Sequence, residues 1–358
     1  MSGGVDSSVA ALLLHHQGYQ VIGITMKLWD YEQVGGNINH ESGCCSLDSF
    51  NDARSICVPL GIPHYVINYS REFNNEVVED FIDEYLAGRT PNPCVRCNSK
   101  IKWNILLNKA LELGADYIAT GHYARVRFNS VTGRYELLRG IDKKKDQSYA
   151  LWGIRQESLA KTLFPLGKYK KSEIRILARQ YDLTTAEKSE SQEICFVPDN
   201  DYRRLIRNKR MDLEQKLNNG IIINKEGEEV GHHSGYPFYT IGQRKGLGGG
   251  FSKPMYVVDI DADMNRIRIG SNDDLLCQSF IVENVNLISR GDIRDATPAQ
   301  IKIRYNDTPH AAIIYPYKAN QLRVVFKKPQ RAVTPGQSAV FFQKDLLVGG
   351  GIIKQRSQ

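Results

Sequence analysis

No apolar run in the chain is long enough to cross a bilayer, and no apolar leader segment follows Met1. A cytoplasmic protein with no membrane partner is the expectation. Internal repeats and low-complexity tracts are also missing, which sets aside solenoids and disordered tails. Cysteine is scarce and odd in number, seven among 358 residues, so the chain is not a disulfide-stapled secreted scaffold. In a reducing compartment, closely spaced cysteines read instead as metal-binding or redox-catalytic. A strong surplus of one charge is lacking too. Lys and Arg number 47 against 40 Asp and Glu, a net charge of +7. That balance suits a polyanionic partner without demanding one. Hydrophobic content of 41% and charged content of 24% are those of an ordinary soluble protein. The length allows a sizeable core and two or three domains.

What is present falls into two textures. In the first half, "YQVIGITMKLW", "IPHYVINY" and "ADYIATGHY" read as strands. The segments "LDSFNDARSICVPLG", "REFNNEVVEDFIDEYLAG" and "NSKIKWNILLNKALELG" alternate with them at helical period. Alternation of this kind predicts a doubly wound parallel sheet with helices on both faces, and ligands at the carboxyl ends of the strands. "ARVRFNSVTGRYELLRG" predicts a hairpin, and "KKSEIRILARQYDL" and "DYRRLIRNK" predict basic helices. Beyond about residue 205 short strands and glycine-rich loops take over. From about 270, "SFIVENVNLI", "AQIKIRYND", "HAAIIYP", "NQLRVVFKKP" and "SAVFFQKDLLVGGGII" alternate at strand period and predict a small antiparallel barrel. The expected domains are 1–204, 205–268 and 269–358.

The chain opens on "MSGGVDSSVAALLLHHQG". Glycines let the backbone approach an anion, several N–H groups converge, and the start of a helix adds positive potential. The plain alternative is a helix capped by Asp6 or Ser7. No Gly-Lys-Ser/Thr follows, so this is not a Walker loop. The string "SGGVDSS" resembles the pyrophosphate-binding loop of the ATP pyrophosphatases, which cleave ATP between the α and β phosphates.

"GRTPNPCVRCNSKIKW" places Cys94 and Cys97 in a proline-rich loop ahead of a helix, and "SQEICFVP" carries Cys195. Helix start and nearby Arg96, Lys100 and Lys102 favour a thiolate, the form a nucleophile needs. Three readings stay open from spacing alone. One is a structural zinc site, for which adjacent Cys44 and Cys45 are a poor second pair. The others are a sulfur-transfer pair, and an iron–sulfur cluster on Cys94, Cys97 and Cys195.

These strings, with "ATGHYAR", "KKDQSYALW", "FPLG", "YTIGQRKGLG" and "TPGQSAVFF", run in order across nearly the whole chain. Together they resemble the tRNA-specific 2-thiouridylases. The resemblance implies an α/β fold: an adenine nucleotide alpha hydrolase-like first domain, a small central mixed domain and a C-terminal antiparallel β-barrel. It implies that ATP, with Mg2+, adenylates O2 of the wobble uridine, and that a persulfide sulfur then gives 2-thiouridine, AMP and pyrophosphate. Cys97 matches the nucleophile and Cys195 the persulfide carrier, with a Cys97–Cys195 disulfide left behind. Ser2, Gly3, Gly4, Val5, Asp6, Ser7 and Ser8 match the ATP loop, and Met26 and Gly121 match further nucleotide contacts. Asn92, Pro93 and Cys94 match the segment beside the target base. Many relatives have an Asp where this chain has Cys94. A thiol is a poorer proton shuttle, so another group does that work or Cys94 joins a cluster. His122, Lys145, Asp146, Gln147, Arg304, Tyr305 and Gln337 match tRNA-contacting positions. The implied partners are tRNAs of the Lys, Glu and Gln type and a persulfide donor protein. "TIGQRKGLGGG" is expected to order on tRNA, and the segments around Cys97 and Cys195 to be mobile, since the two thiols must meet and part. Little weight falls on His232 and His233 as metal ligands, because adjacent strand residues point apart.

Two other readings compete. A small-molecule ligase would keep the ATP chemistry, but the paired cysteines and basic barrel oppose it. A non-enzymatic RNA-binding module is opposed by the intact opening loop. Relatives also have a strand leading into that loop. Met1 stands where the strand would end, so a truncated start is expected, with weak ATP binding if the strand is truly absent.

Overall fold

A computed structural model describes residues 1–29, 47–188, 194–248 and 251–357. Cys44, Cys45, residues 191–193 of "SQEICFVP" and the last two glycines of "TIGQRKGLGGG" lie outside the described residues. The chain divides into two compact units, one of residues 1–78, 93–201 and 345–347, the other of 79–92, 202–344 and 348–358.

In the first unit, α1 (Val5–His16) starts directly on the glycine loop. Gly18, at φ +84°, turns the chain out of it in a conformation that residues with a Cβ resist. Val9 and Leu12 are fully buried and pack in a cluster with Tyr123, Leu166 and Ile174. Burying such side chains stabilises by about 2 kcal/mol each. β1 (Gly23–Lys27) pairs in parallel with β2 (His64–Asn68), with α2 (Leu47–Cys57) in the connection between them. A parallel pair needs a crossover of this kind. β3 (Ile118–Ala119), the hairpin of β4 (Ala124–Asn129) and β5 (Arg134–Arg139), and β6 (Thr162–Leu163) follow. β3 and β6 pair in parallel. Leu346 and Leu347 add to the edge of β5.

Two expectations are corrected in this unit. "ADYIATGHY" is not one long strand, since only Ile118 and Ala119 join a ladder. The chain leaves the ladder to bring Gly121 against the opening loop, where a Cβ would lie 2.8 Å from the Asp6 carbonyl carbon. Cys94 and Cys97 are not in a loop. The helix begins at Pro93 and takes in both cysteines, with Cys97–Leu106 in the wider π-helical winding. Proline suits the first helical position, where its missing N–H would have no partner anyway.

The second unit holds a four-stranded sheet and a closed barrel. The sheet has the order β8 (Glu229–His233), β7 (Gly220–Ile223), β10 (Arg266–Gly270), β9 (Tyr256–Asp261). The barrel is antiparallel. Its six strands, β11 (Leu276–Leu287), β12 (Thr297–Lys302), β13 (His310–Pro316), β14 (Gln321–Arg331), β15 (Ser338–Gln343) and β16 (Leu346–Ser357), are ordered β11-β14-β13-β12-β15-β16 and closed by β16 on β11. Phe280, Phe326 and Phe341 fill its interior. Closure leaves no unpaired edge.

His233 of β8 sits opposite Gly220 of β7, in a space that any larger residue at 220 would fill. Nδ1 accepts from the Gly235 N–H at 3.0 Å. Burial pushes this imidazole down to about 4. A folded-state value below the unfolded one means that protons bind the unfolded chain first as pH falls. Stability is therefore full above pH 6.5 and lost between about pH 6.5 and 4, by at most about 3 kcal/mol. We expect His233→Asn to flatten this part of the stability–pH curve in denaturant unfolding. Equal slopes in the two proteins would remove His233 as the cause.

Candidate active site

The opening loop owes its shape to glycine. Gly3 has φ +64° and packs against the Ser49 backbone of α2, so a side chain fits neither the dihedral nor the space. Ser7 and Ser8 hydroxyls both donate to the Gly4 carbonyl, at 3.0 and 3.1 Å, and the Ser2 N–H donates to Ser7 Oγ at 3.2 Å. Neither Asp6 nor Ser7 caps the helix, because no side chain does. The first backbone N–H of α1 with a carbonyl acceptor is that of Ser8. Among the described residues the donors ahead of it have no backbone acceptor outside the helix, and they stand at the positive end of the helix, where an anion is favoured.

Asp6 would repel that anion if left alone. It is not alone: Lys171 Nζ donates to both of its carboxylate oxygens, at 2.8 and 2.7 Å, and Tyr123 donates from its hydroxyl at 2.7 Å. Lys171 is only 8% exposed. It opens the helix Lys171–Gln180, where the dipole disfavours a cation. The Asp6 carboxylate meets its charge there. Sequence reasoning missed it, and the one signal was a lysine at the start of a helix. Gly121, by its contact with the Asp6 and Ser7 backbone, seats the segment 120–123 on the loop. Met26 lies in β1, half-buried, opposite Ile67.

Cys94 is exposed and Cys97 half-buried, one turn apart on the same helix. Between them, Arg96 Nε donates to the Glu76 carbonyl at 2.9 Å and its guanidinium lies 3.7 Å from the Glu76 carboxylate. Asn98 Nδ2 donates to the Ala150 carbonyl at 3.0 Å. Cys195 is half-buried in a turn closed by Val197 N–H to the Ile194 carbonyl, and the next ring, Phe196, meets Phe73 edge to face at 5.6 Å. Phe73 and Glu76 belong to one helical stretch, 70–78, so a single element braces both cysteine segments. Among the described residues no three His, Cys, Asp or Glu side chains gather as a metal ion would require. Cys94, Cys97 and Cys195 thus do not fit a cluster site as they stand.

Several residues matched to tRNA contacts have internal partners. The Asp146 carboxylate accepts from the N–H groups of Gly140 and Ser148 and from Ser148 Oγ, and lies 3.8 Å from Arg139. Gln147 Oε1 accepts from Tyr123 N–H at 3.0 Å. Lys143 and Lys144 are exposed beside them, with Lys145 half-buried. His122 contacts the rings of Trp103 and Phe164 and bonds Thr120 Oγ1 at 2.8 Å. Burial, with Lys102 adding to it, holds His122 well below the ordinary range, so it is neutral near pH 7. In the second unit Tyr305 is 43% exposed, with Lys302 Nζ 5.7 Å from its ring centre. Gln337 Nε2 donates to the carbonyls of Thr90 and Pro91, at 3.0 Å each, just ahead of Asn92.

Fold and loop together define a protein with an α/β unit of nucleotide-binding type and a second unit that carries an antiparallel barrel. Three family models match the chain. The tRNA methyl transferase HUP domain matches residues 1–199, the tRNA methyl transferase PRC-barrel domain 211–271, and the aminomethyltransferase beta-barrel domain 277–353. The tRNA-specific 2-thiouridylase MnmA of Salinibacter ruber is 48% identical over 99% of this chain and 93% of its own. That of Amoebophilus asiaticus is 50% identical over 99% and 94%. The chain belongs to the tRNA-specific 2-thiouridylase family, and it is an enzyme. Among solved structures, the U34-tRNA thiolase NcsA from Methanococcus maripaludis aligns over 60% of this chain and 64% of that one, at 23% identity and a TM-score of 0.33. No helix among the described residues is long and apolar enough to cross a membrane.

The Asp6–Lys171 pair generates a direct test. Lys171→Met removes the charge but keeps the length, and should cost about 2 kcal/mol by orphaning Asp6. The double variant with Asp6→Asn should recover part of that loss in unfolding measurements. Strictly additive losses would show that the two side chains do not act as a pair.

Proposed function

We propose that the chain replaces O2 of the wobble uridine of Lys-, Glu- and Gln-type tRNAs by sulfur, using ATP and a protein-bound persulfide. The observation that supports it best is the bracing of both cysteine segments by residues 70–78, in the unit that carries the anion loop. In this reading the N–H groups at the start of α1, with Ser2 through Ser8, bind the pyrophosphate part of ATP, which brings Mg2+ with it. Lys171 keeps Asp6 neutralised so that the loop attracts rather than repels phosphate. Met26 and Gly121 line the adenosine side. Uridine O2 bonds to the α phosphorus, and the α–β oxygen bridge breaks to release pyrophosphate.

Sulfur transfer then falls to the thiols. A donor protein leaves Cys195 as a persulfide. The Cys97 thiolate attacks the inner sulfur, the S–S bond breaks toward the outer sulfur, and hydrosulfide departs with the electron pair. Hydrosulfide adds to C2 of the uridine, AMP leaves with the former O2, and a proton passes to solvent. The product is 2-thiouridine plus a Cys97–Cys195 disulfide, which a dithiol reductant must reopen. Asn92, Pro93 and Cys94 flank the target base. Cys94 is one turn from Cys97 and exposed, but this sequence gives it no proton-transfer duty. Lys145, Arg304 and Tyr305 contact tRNA, while Asp146, Gln147 and Gln337 order the segments that present them. The division 1–204, 205–268 and 269–358 assigns chemistry to the first domain and tRNA binding to the other two.

Incubation with ATP, a persulfide donor and unmodified tRNA should yield 2-thiouridine by nucleoside mass analysis. Cys97→Ser and Cys195→Ser should each lower the yield at least about 100-fold, as loss of a nucleophile does. Wild-type yield from Cys97→Ser would sink the thiol mechanism. So would iron in proportion to protein that is lost in Cys94→Ser.

A further inference from the structure

A cavity of about 210 Å3 lies wholly within the second unit, lined by Thr90, Thr240, Gly242, Arg304, Arg331 and Gln337 among others. No lining residue is a carboxylate. Arg304 spends one nitrogen on the carbonyls of Arg331 and Ala332. Arg331 Nε donates to Asn272 Oδ1 at 2.8 Å, and its guanidinium lies 4.8 Å from the Tyr256 ring centre. Neither arginine has a carboxylate partner among the described residues. Two permanently charged guanidiniums therefore share one concavity with only neutral acceptors around them. Like charges so placed repel, and their remaining N–H groups match the oxygens of a phosphate.

The surroundings favour a strand of nucleic acid over a small free anion. Arg304 is followed by exposed Tyr305, a ring on which a base can stack. Gly242 is followed closely by Arg244 and Lys245, both cationic. A single inorganic anion would use the two arginines and leave the rest idle, whereas a polynucleotide uses all of them. Gln337, in the same wall, fixes Thr90 and Pro91, which lead along the chain to Asn92 and Cys94.

We infer that this cavity seats one backbone phosphate of the bound tRNA, gripped by Arg331 together with Arg304. The inference rests on tRNA being the substrate. It adds a residue, Arg331, that no sequence pattern singled out, and a contact class, phosphodiester rather than base.

Arg331→Gln is the direct test, read as tRNA affinity against salt concentration, with thermal unfolding as the check on folding. The variant should bind tRNA roughly tenfold more weakly, and its log–log salt slope should be shallower by about 0.7–0.9, one phosphate's worth. Arg331→Lys should keep the wild-type slope. Should Arg331→Gln unfold, tRNAs carrying single neutral methylphosphonate linkages provide the same test on the wild-type protein. One linkage should cost it about one phosphate in slope, and that cost should persist in Arg331→Lys. Wild-type protein that binds tRNA while Arg331→Gln matches its affinity and slope would overturn the pocket alone. So would an Arg331→Gln variant that loses inorganic phosphate but keeps tRNA. Wild-type protein that fails to bind tRNA at all would instead overturn the substrate.

Discussion

In the first unit the opening loop is organised around one ionic contact, Lys171 on Asp6. A loop that must hold a polyanion carries a carboxylate at its centre, and the conflict is resolved by burying a lysine against it. Lys171 is the first residue of its helix, so the contact also fixes where that helix begins. Tyr123 gives its hydroxyl to the same carboxylate, which ties the segment after β3 to the loop. Through Gly121 that segment is pressed onto the Asp6–Ser7 backbone. Three stretches far apart in sequence are thereby set around one group at the start of α1. Partial burial raises the strength of each charged hydrogen bond and equally the cost of losing one.

The thiol chemistry has its own frame. Cys97 starts a π-helical stretch, an unfavourable winding that occurs mostly at functional sites. Arg96 anchors its approach to residue 76 and Asn98 its exit to residue 150. Cys195 lies instead in a turn, beside the Phe196 ring that meets Phe73.

Much of this was legible in the sequence, for identifiable reasons. The barrel strands announce themselves by two-residue alternation, because each has one face inside and one outside. The opening loop is legible through the full string "SGGVDSS", since its glycines alone would suit a plain capped helix. The start of the helix at Pro93 was not: "PNP" looks like loop, although proline is at home in a first turn. β3 is overread because Thr120 and Tyr123, residue types common in strands, continue past the point where Gly121 leaves the ladder. Lys171 was invisible for a deeper reason. It is one lysine in "KYKK", and its partner lies 165 residues away in sequence. Pattern reads periodicity along the chain, and an ion pair of that separation leaves none.

The same limit governs the residues expected to touch RNA. Asp146, Gln147 and Gln337 spend their polar atoms on backbone groups of their own protein. An acidic side chain would in any case be repelled by phosphate, so an internal role for Asp146 is the physically easier one. What it achieves is local: by gathering the N–H groups of Gly140 and Ser148 it shapes the segment on whose outer side Lys143 and Lys144 stand exposed. Gln337 does the equivalent for Thr90 and Pro91 ahead of Asn92. A residue can therefore matter to RNA binding without meeting RNA, by deciding where a lysine or an arginine stands. Cations with no carboxylate partner among the described residues are the ones left to do electrostatic work, and Arg304 and Arg331 are two such residues in the second unit.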